Sequence, residues 1–469
     1  MTQGGLRAGV GRAIITPPVG MPMGGWSNAL HERSEGNDLD LTATALAVTD
    51  GGTAAAICEL DLCLLTDAQA GAIRVAVSDA TGIPRDNVRV TATHNHSAPV
   101  TGELTGAGFM SQGLESVGPY MDMVTEQLAG AARQAWQALA PARMGHGTGS
   151  SPLAVNRRVL LPEGGIRVGH AWAGPVDHTV RVARLDGESG NALATIVHYS
   201  AHPTILAGGN RLINPDYPGP VRRVVEAAMG GRCVFLQGTA GDIGPIETFV
   251  GDLEPYHRLG AMLGHDAAAT ALRSGADPHR QRLAESQDPS TWLAFYEYAP
   301  PPSTDPTVRV ERRIIDMPLR TDLGDATDWR RRQAALRADL IEAVGRGGDA
   351  FAIRELRVQT KFVSMRAERA EALAGMSTYP LEVHGTRIGP LALIGVPVEP
   401  FIELGHAIEA RSPFAMTMVS GYTNGYRNYL PTRQEHLRGG YEVDISAFTS
   451  DAGERFVETA VEVLQALAR

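Results

Sequence analysis

Two histidines, His94 and His96, stand directly after a stretch that is typical of a buried strand. This stretch, residues 88–93, carries Val and β-branched Thr and is followed by Ser97-Ala98-Pro99, which ends the strand. Side chains two residues apart on an extended backbone point to the same side, so both imidazoles can face one small volume. That arrangement suits a metal ligand with an acid or base beside it, although His-x-His alone is equally typical of a polar loop.

Other polar side chains stand at comparable places, where an apolar stretch gives way to a loop. They are His202, Asp242, Glu399 and Tyr429. Ligands of an open α/β sheet bind outside the carboxyl ends of its strands, so we expect these side chains to meet near His94 and His96. Two imidazoles with a carboxylate form a usual catalytic zinc set that leaves a position for water. The sequence therefore predicts a zinc site at this edge of the sheet.

The elements that would position these residues alternate between strands and helices. A helix predicted over 66–82 carries the chain back to the strand at 88–93, which indicates a right-handed crossover between parallel strands. Two hairpins are predicted, pairing residues 39–48 with 53–65 and 180–185 with 192–199. We therefore predict an α/β fold with a mixed, largely buried central β-sheet flanked by helices.

Loops and a shift of composition interrupt this pattern. Glycine-rich segments at 20–26 and 102–118 predict loops, the second of them near the site. Residues 275–380 contain three consecutive prolines and then two arginine-rich amphipathic stretches, for which we predict helices over 328–344 and 351–373. We expect the whole chain, 1–469, to form one catalytic domain, with 275–380 as a helical and loop insertion within it.

Composition excludes several classes of function. A net charge of −10 and a pI near 5.8 argue against nucleic-acid binding. Lys361 is the only lysine, so the chain has no Walker phosphate loop. No apolar run is long enough to cross a bilayer and the amino terminus lacks a secretory pattern, so we predict a cytoplasmic protein whose three cysteines are buried free thiols. The oligomeric state is left open.

The order of the motifs resembles that of the neutral or alkaline, non-lysosomal ceramidases. The resemblance covers most of the chain except 275–380. The matching motifs are Gly9-Val10-Gly11-Arg12, Thr93-His94-Asn95-His96-Ser97, Asn156-Arg157, His202-Pro203, Gly241-Asp242, Pro397-Val398-Glu399, Asn424-Gly425-Tyr426-Arg427-Asn428-Tyr429 and Tyr441-Glu442. Individually these motifs are weak, but in this order they are fairly specific.

The resemblance implies roles for the matching residues. It implies zinc held by four of them, which are His94, His202, Glu399 and Tyr429. His96 would be the proton-transfer partner, while Arg157 and Tyr441 match residues that face the substrate or the developing oxyanion. We also expect Asp242, in the Gly241-Asp242 motif, to belong to the catalytic set.

The chain departs from the resembled family in two ways. Where those ceramidases carry Ser-Pro-Asn, with the serine taken as nucleophile, this chain has Gly244-Pro245-Ile246. We also expect it to lack the family's carboxy-terminal immunoglobulin-like domain and secretory leader. Our hypothesis is therefore a zinc-dependent hydrolase that uses metal-activated water to cleave the amide of an N-acyl amine, ceramide-like or smaller. The alternatives are an esterase or lactonase on a small soluble substrate and a non-catalytic metal- or lipid-binding relative.

Overall fold

Two β-sheets packed face to face form the centre of the protein. The computed structural model describes residues 5–23, 31–101, 113–275, 281–298 and 304–469. Apolar side chains of both sheets fill the space between them, and helices cover the outer face of each sheet. The order of layers is therefore helix, sheet, sheet, helix, which confirms the predicted α/β class with a buried central sheet.

The secondary structure elements are numbered in chain order. The strands are β1 (Arg7–Ile14), β2 (Gly36–Asn37), β3 (Thr42–Thr49), β4 (Ala54–Leu60), β5 (Val88–Ala92), β6 (Ala140–Ser150), β7 (Ala154–Asn156), β8 (Arg158–Leu160), β9 (Ile166–Val168), β10 (Thr179–Gly187), β11 (Ala192–Tyr199), β12 (Leu212–Ile213), β13 (Arg232–Gln237), β14 (Ile243–Pro245), β15 (Gln281–Leu283), β16 (Tyr296–Tyr298), β17 (Val308–Pro318), β18 (Thr378–Ile388), β19 (Leu391–Gly395), β20 (Glu399–Pro400), β21 (Met416–Ser420) and β22 (Tyr429–Leu430). The α-helices are α1 (Asp67–Thr81), α2 (Val117–Gln137), α3 (Pro218–Met229), α4 (Glu254–Arg273), α5 (Ala326–Gly345), α6 (Ala350–Ala372), α7 (Ile402–Glu409), α8 (Arg433–Arg438), α9 (Tyr441–Ile445) and α10 (Ala452–Ala468).

The larger sheet has eight strands in the order β13-β11-β10-β6-β1-β3-β4-β5. Both predicted hairpins are present, as β3 with β4 and as β10 with β11, and the crossover through α1 makes β4 and β5 parallel. Strands β6 and β1 share only two residue pairs, at Arg7 and Ala8, so the sheet consists of two four-stranded halves with a narrow junction. Beyond that junction the halves turn toward one another, and β13 lies against β4 and β5.

This turn explains how the strand ends meet. Following the ladder from strand to strand, β5 runs opposite to β11 and β13. A flat sheet would hold the carboxyl ends of β5 and β11 at opposite edges. The bend between the two halves of the larger sheet brings these two carboxyl ends together. The rule that ligands bind where the carboxyl ends of parallel strands meet does not predict this arrangement.

The smaller sheet has four strands in the order β17-β18-β19-β21. Its first strand corrects the prediction for residues 275–380, because β17 pairs with β18 over eleven residues and so is the edge strand of this sheet. The segment is therefore not built only of helices and loops. Its two predicted helices are present as α5 and α6, and β15 pairs with β16 in a short exposed hairpin.

Three smaller predictions concern the cysteines, the glycine-rich loops and membrane-spanning helices. The three cysteines are buried free thiols, as predicted. Residues 24–26 and 102–112 of the two predicted loops lie outside the described residues. Among the helices that the structure describes, none is both long and apolar enough to cross a membrane.

Candidate active site

Three predicted ligands meet at one buried point, beside the carboxyl ends of β5 and β11. His94 follows β5, His202 follows β11 and Glu399 begins β20, and all three side chains are almost fully buried. Glu399 Oε2 lies 2.9 Å from His202 Nε2 and 3.5 Å from His94 Nε2. The donor atoms of the three residues all lie within 4.8 Å of one another, a spacing at which a single metal ion can contact all of them.

The tautomers of the two histidines follow from their backbone contacts. His94 Nδ1 lies 2.9 Å from the carbonyl oxygen of Cys63, and His202 Nδ1 lies 3.1 Å from that of Ile243. A carbonyl oxygen only accepts hydrogen bonds, so Nδ1 carries the proton in both rings and each Nε2 presents a lone pair. Backbone carbonyls thus aim two imidazole lone pairs at the Glu399 carboxylate.

These lone pairs and the carboxylate together form a group that could hold a cation. With the proton on Nδ1, the buried His202 Nε2 has no hydrogen to donate to Glu399 Oε2, which lies 2.9 Å away. Burial lowers the pKa of His202, and it lowers the pKa of His94 to about 4, so neither ring takes up an extra proton near neutral pH. A divalent metal ion satisfies the same three atoms, and two imidazoles with one carboxylate are a donor set that zinc prefers. The residues present therefore fit a zinc ion.

Glu399 is held by two tyrosines for which the sequence predicts no role. Tyr426 donates its hydroxyl proton to Oε1 at 2.5 Å, and Tyr422 donates to Oε2 at 3.1 Å. The ring of Tyr422 also stacks on His94, with centroids 4.1 Å apart. Burial alone would raise the pKa of Glu399, but the neighbouring His94 and His202 outweigh it and hold that pKa well below its usual range. The carboxylate is therefore ionised and fixed in orientation.

His96 lies beside the three donors. Its Nε2 is 3.2 Å from His94 Nε2, and its ring stands edge-on to that of His94 with centroids 4.7 Å apart. Burial, and then the proximity of His94 and His202, lower the pKa of His96 well below its usual value. A neutral imidazole at this point can accept a proton.

Arg157 and two tyrosines form the next part of the site. Arg157 donates from Nη2 to the Tyr429 hydroxyl at 3.0 Å and from Nε to Glu442 at 2.9 Å. The Tyr429 ring lies near both His202 and Tyr441, with centroid distances of 6.4 and 5.6 Å. Tyr429 also pairs with Glu399 across β20 and β22, which brings it beside the three donors.

Comparison with known proteins identifies the family. The family model described as neutral/alkaline non-lysosomal ceramidase, N-terminal, matches residues 6–255, more than half of the chain. The chain belongs to this ceramidase family. The first part of the ceramidase domain therefore supplies His94, His96, Arg157 and His202, while Glu399 lies beyond the matched region.

Two relatives in the ceramidase family have curated names. The neutral ceramidase of Pseudomonas aeruginosa is 22% identical over 472 residues, covering 93% of this chain and 68% of the relative. The neutral ceramidase of Mycobacterium tuberculosis is 24% identical over 435 residues, covering 81% of this chain and 63% of the relative. The chain thus spans about two thirds of the length of these relatives.

Solved ceramidase structures share the fold. A ceramidase complexed with C2 superposes with a TM-score of 0.70 at 18% identity, covering 99% of this chain and 75% of the other. The neutral ceramidase of P. aeruginosa superposes with a TM-score of 0.68 at 18% identity, covering 99% and 74%. The two-sheet architecture is therefore that of the ceramidases.

Asp242 occupies a different position from the other predicted site residues. Its Oδ2 accepts a hydrogen bond from Asn156 at 3.0 Å, and its Oδ1 accepts one from the backbone N–H of Ile402 at 2.8 Å. The Asp242 carbonyl oxygen also accepts from the Arg157 N–H at 2.8 Å. Asp242 therefore links the segment that contains Asn156 and Arg157 to the start of α7, and we interpret it as a positioning residue in this ceramidase-family site.

Helix α6 forms one wall of the site. Phe362 contacts Tyr441 with ring centroids 5.7 Å apart, and Met365 packs against the cluster that contains Tyr429. The single lysine, Lys361, is buried on the same helix, and burial lowers its pKa to about 8. The segment 275–380 thus contributes side chains to the ceramidase-family site, beyond the covering role expected of an insertion.

Proposed function

We propose that this protein is a zinc-dependent hydrolase that cleaves the amide bond of an N-acyl amine. The observation that carries the proposal is the convergence of His94, His202 and Glu399, with both imidazole lone pairs aimed at one buried carboxylate. A zinc ion bound there supplies a Lewis acid and activates water as the nucleophile. Tyr429, beside Glu399, is the fourth residue that we assign to the ion.

The chain's own residues then handle the proton and the developing charge. His96, neutral and next to His94, accepts a proton from the attacking water and returns it to the leaving amine. Tyr441 is protonated at neutral pH because burial and the charge of Glu399 raise its pKa to about 12, so its hydroxyl can donate to an oxyanion.

Arg157 supplies the positive charge of the site. Burial alone would lower the pKa of Arg157, but Tyr429, Glu442 and Glu399 more than offset burial and raise it well above its usual value. The guanidinium therefore remains charged at every pH at which the protein is folded. Glu442 and the Tyr429 hydroxyl fix its orientation, so that it can stabilise the tetrahedral oxyanion without reorganising.

The substrate class rests on the family and on the absence of a serine. The curated relatives are named neutral ceramidases, which supports an N-acyl amine, ceramide-like or smaller, as the substrate. Gly244 stands in β14 beside Arg157 and cannot act as a nucleophile. Water activated at the metal centre requires no side-chain nucleophile, so the amide reaction is compatible with glycine at this position.

Metal analysis combined with a panel of N-acyl amides tests the proposal. We expect about one zinc per chain and hydrolysis of at least one acyl amide, with both lost in His94→Ala and Glu399→Ala. His257→Ala is the matched control, because His257 lies on α4 and pairs with Asp38, outside the group of converging ligands. Full zinc content together with full turnover in either ligand variant would contradict the proposal.

A further inference from the structure

An arginine is fully buried between the two sheets. Arg89 lies in the middle of β5, and while Val88 and Val90 face the helices α1 and α2, Arg89 faces the smaller sheet. One of its nitrogens, Nη2, reaches the carbonyl oxygen of Ile394 at 3.3 Å and the Thr423 hydroxyl at 3.5 Å. Its Nε and Nη1 make no hydrogen bond within the described ranges.

The charge of Arg89 also lacks a partner. Burial lowers its pKa to about 9, so the guanidinium is still charged at neutral pH. No ion pair involves Arg89 in the part of the chain that the structure describes, whereas Arg74, which is also buried but less completely, is paired with Glu382 and Asp86. A buried charge is normally paired and a buried N–H normally bonded, so Arg89 departs from both rules.

Further polar atoms without partners lie in the same layer. Ser420 pairs with Gly395 and Gly395 pairs with His384, so these residues form one row across β21, β19 and β18, next to Ile394. The Ser420 hydroxyl oxygen is buried and makes no hydrogen bond among the residues described. The same holds for the hydroxyl of Thr386, two residues along β18 on the same face as His384. Hydroxyl groups can donate, so the face of the smaller sheet toward which Arg89 extends offers further donors.

Two histidines bound the layer as neutral groups. His198 Nε2 lies 2.9 Å from the carbonyl oxygen of Val419, and His384 Nε2 lies 3.1 Å from that of Asp86, so both rings carry their proton on Nε2. Burial lowers the pKa of each to about 3. Neither ring adds a charge at neutral pH, and neither can balance Arg89.

We propose that a small monovalent inorganic anion, of the size of chloride, binds Arg89 between the two sheets. The Nε–H and Nη1–H groups donate to it, and the hydroxyls of Ser420 and Thr386 complete its hydrogen bonds. A water molecule could satisfy the donors but would leave the charge unbalanced, which is why the buried guanidinium favours an anion. This site is separate from the proposed metal centre and does not depend on the proposed reaction.

Bromide gives a direct test with the intact protein. Crystals grown with bromide in place of chloride should show an anomalous peak within hydrogen-bonding distance of the Arg89 guanidinium. At constant ionic strength, replacing gluconate by chloride should raise the thermal midpoint in a saturable way, by about 3 °C when chloride is far above its dissociation constant. Arg89→Met should abolish this chloride response, while Arg74→Met, which removes a buried but paired arginine, should retain it.

The outcomes separate the anion from water. A bromide peak at Arg89 and a chloride response that only Arg89→Met abolishes would support the site. A peak that lacks anomalous signal, or a thermal midpoint indifferent to chloride, would overturn it in favour of a buried water. If Arg89→Met does not fold, the anomalous peak in the unaltered protein decides the question alone.

Discussion

Removing the hydroxyl of Tyr426 tests whether the Glu399 carboxylate is oriented for a metal ion. Tyr426→Phe deletes one donor, 2.5 Å from Glu399 Oε1, and leaves the aromatic ring in place. A hydrogen bond to a charged group contributes about 1.5–3 kcal/mol. Changes to groups that orient a metal ligand lower metal affinity about 10- to 100-fold, which agrees with that energy. We therefore expect zinc affinity to fall by about 10- to 100-fold in Tyr426→Phe.

The assay is competition for zinc with a chromophoric chelator, followed by amide turnover at saturating zinc. Tyr422→Phe is the matched variant, because its hydroxyl donates to the other oxygen of Glu399 at a longer distance of 3.1 Å. We expect it to have the smaller effect and the double variant to lose more than either. Tyr379→Phe, whose hydroxyl contacts Asp67 at the surface, is the control. Unchanged zinc affinity in the double variant would refute the assignment of Glu399 as a ligand.

Three further predictions concern acid stability, the missing serine and the buried arginine pair. Burial lowers the pKa of His198 and His384 from 6.5 to about 3, so below about pH 6.5 the unfolded chain binds protons that the folded chain does not. The free energy of unfolding should therefore decrease toward acid pH by up to about 1.4 kcal/mol per pH unit for each histidine. Urea midpoints measured at pH 7, 6 and 5 should decrease less steeply in His384→Gln than in the unaltered protein. Among the described residues, a Cβ at Gly244 would contact the Arg157 Cβ, at an ordinary 3.8 Å. The free energy of unfolding of Gly244→Ser should therefore lie within about 1 kcal/mol of that of the unaltered protein. A large gain in amide turnover in this variant would argue against water as the nucleophile. Glu442→Ala leaves the buried Arg157 guanidinium without its carboxylate and removes one of the two carboxylates of Arg158, which keeps Glu435. The free energy of unfolding should fall by about 3–5 kcal/mol in urea titrations, and a loss below about 1 kcal/mol would show that these ion pairs are not buried in solution.

The sequence predicts where the strands that precede His94 and His202 end, because the end of a strand is determined by residues that are neighbours in the chain. The apolar alternation of β5 and β11 places His94 and His202 just after a strand, and both positions hold in the structure. The way in which these ends meet could not be predicted in the same manner. It depends on the bend where β6 and β1 share two residue pairs, a property of distant contacts.

The features that could not be predicted from the sequence also depend on contacts between residues that are far apart in the chain. Strand β17 lies at the edge of the smaller sheet and carries charged side chains on an exposed face, so its arginines resemble those of an amphipathic helix. Tyr422 and Tyr426 follow β21 in a loop, where tyrosine has no pattern that indicates a carboxylate partner. Arg157 was selected only through family resemblance, because its contact with Glu442 joins residues 285 positions apart.

The wide separation of the site residues along the chain affects how the protein is made. His94 emerges from the ribosome long before Glu399, and Glu442 follows later still. Until then, the buried imidazoles have no carboxylate with which to share an ion. The proposed metal centre therefore cannot assemble during most of translation, and we expect a product that ends before residue 399 to bind no metal at this site however well its first half folds.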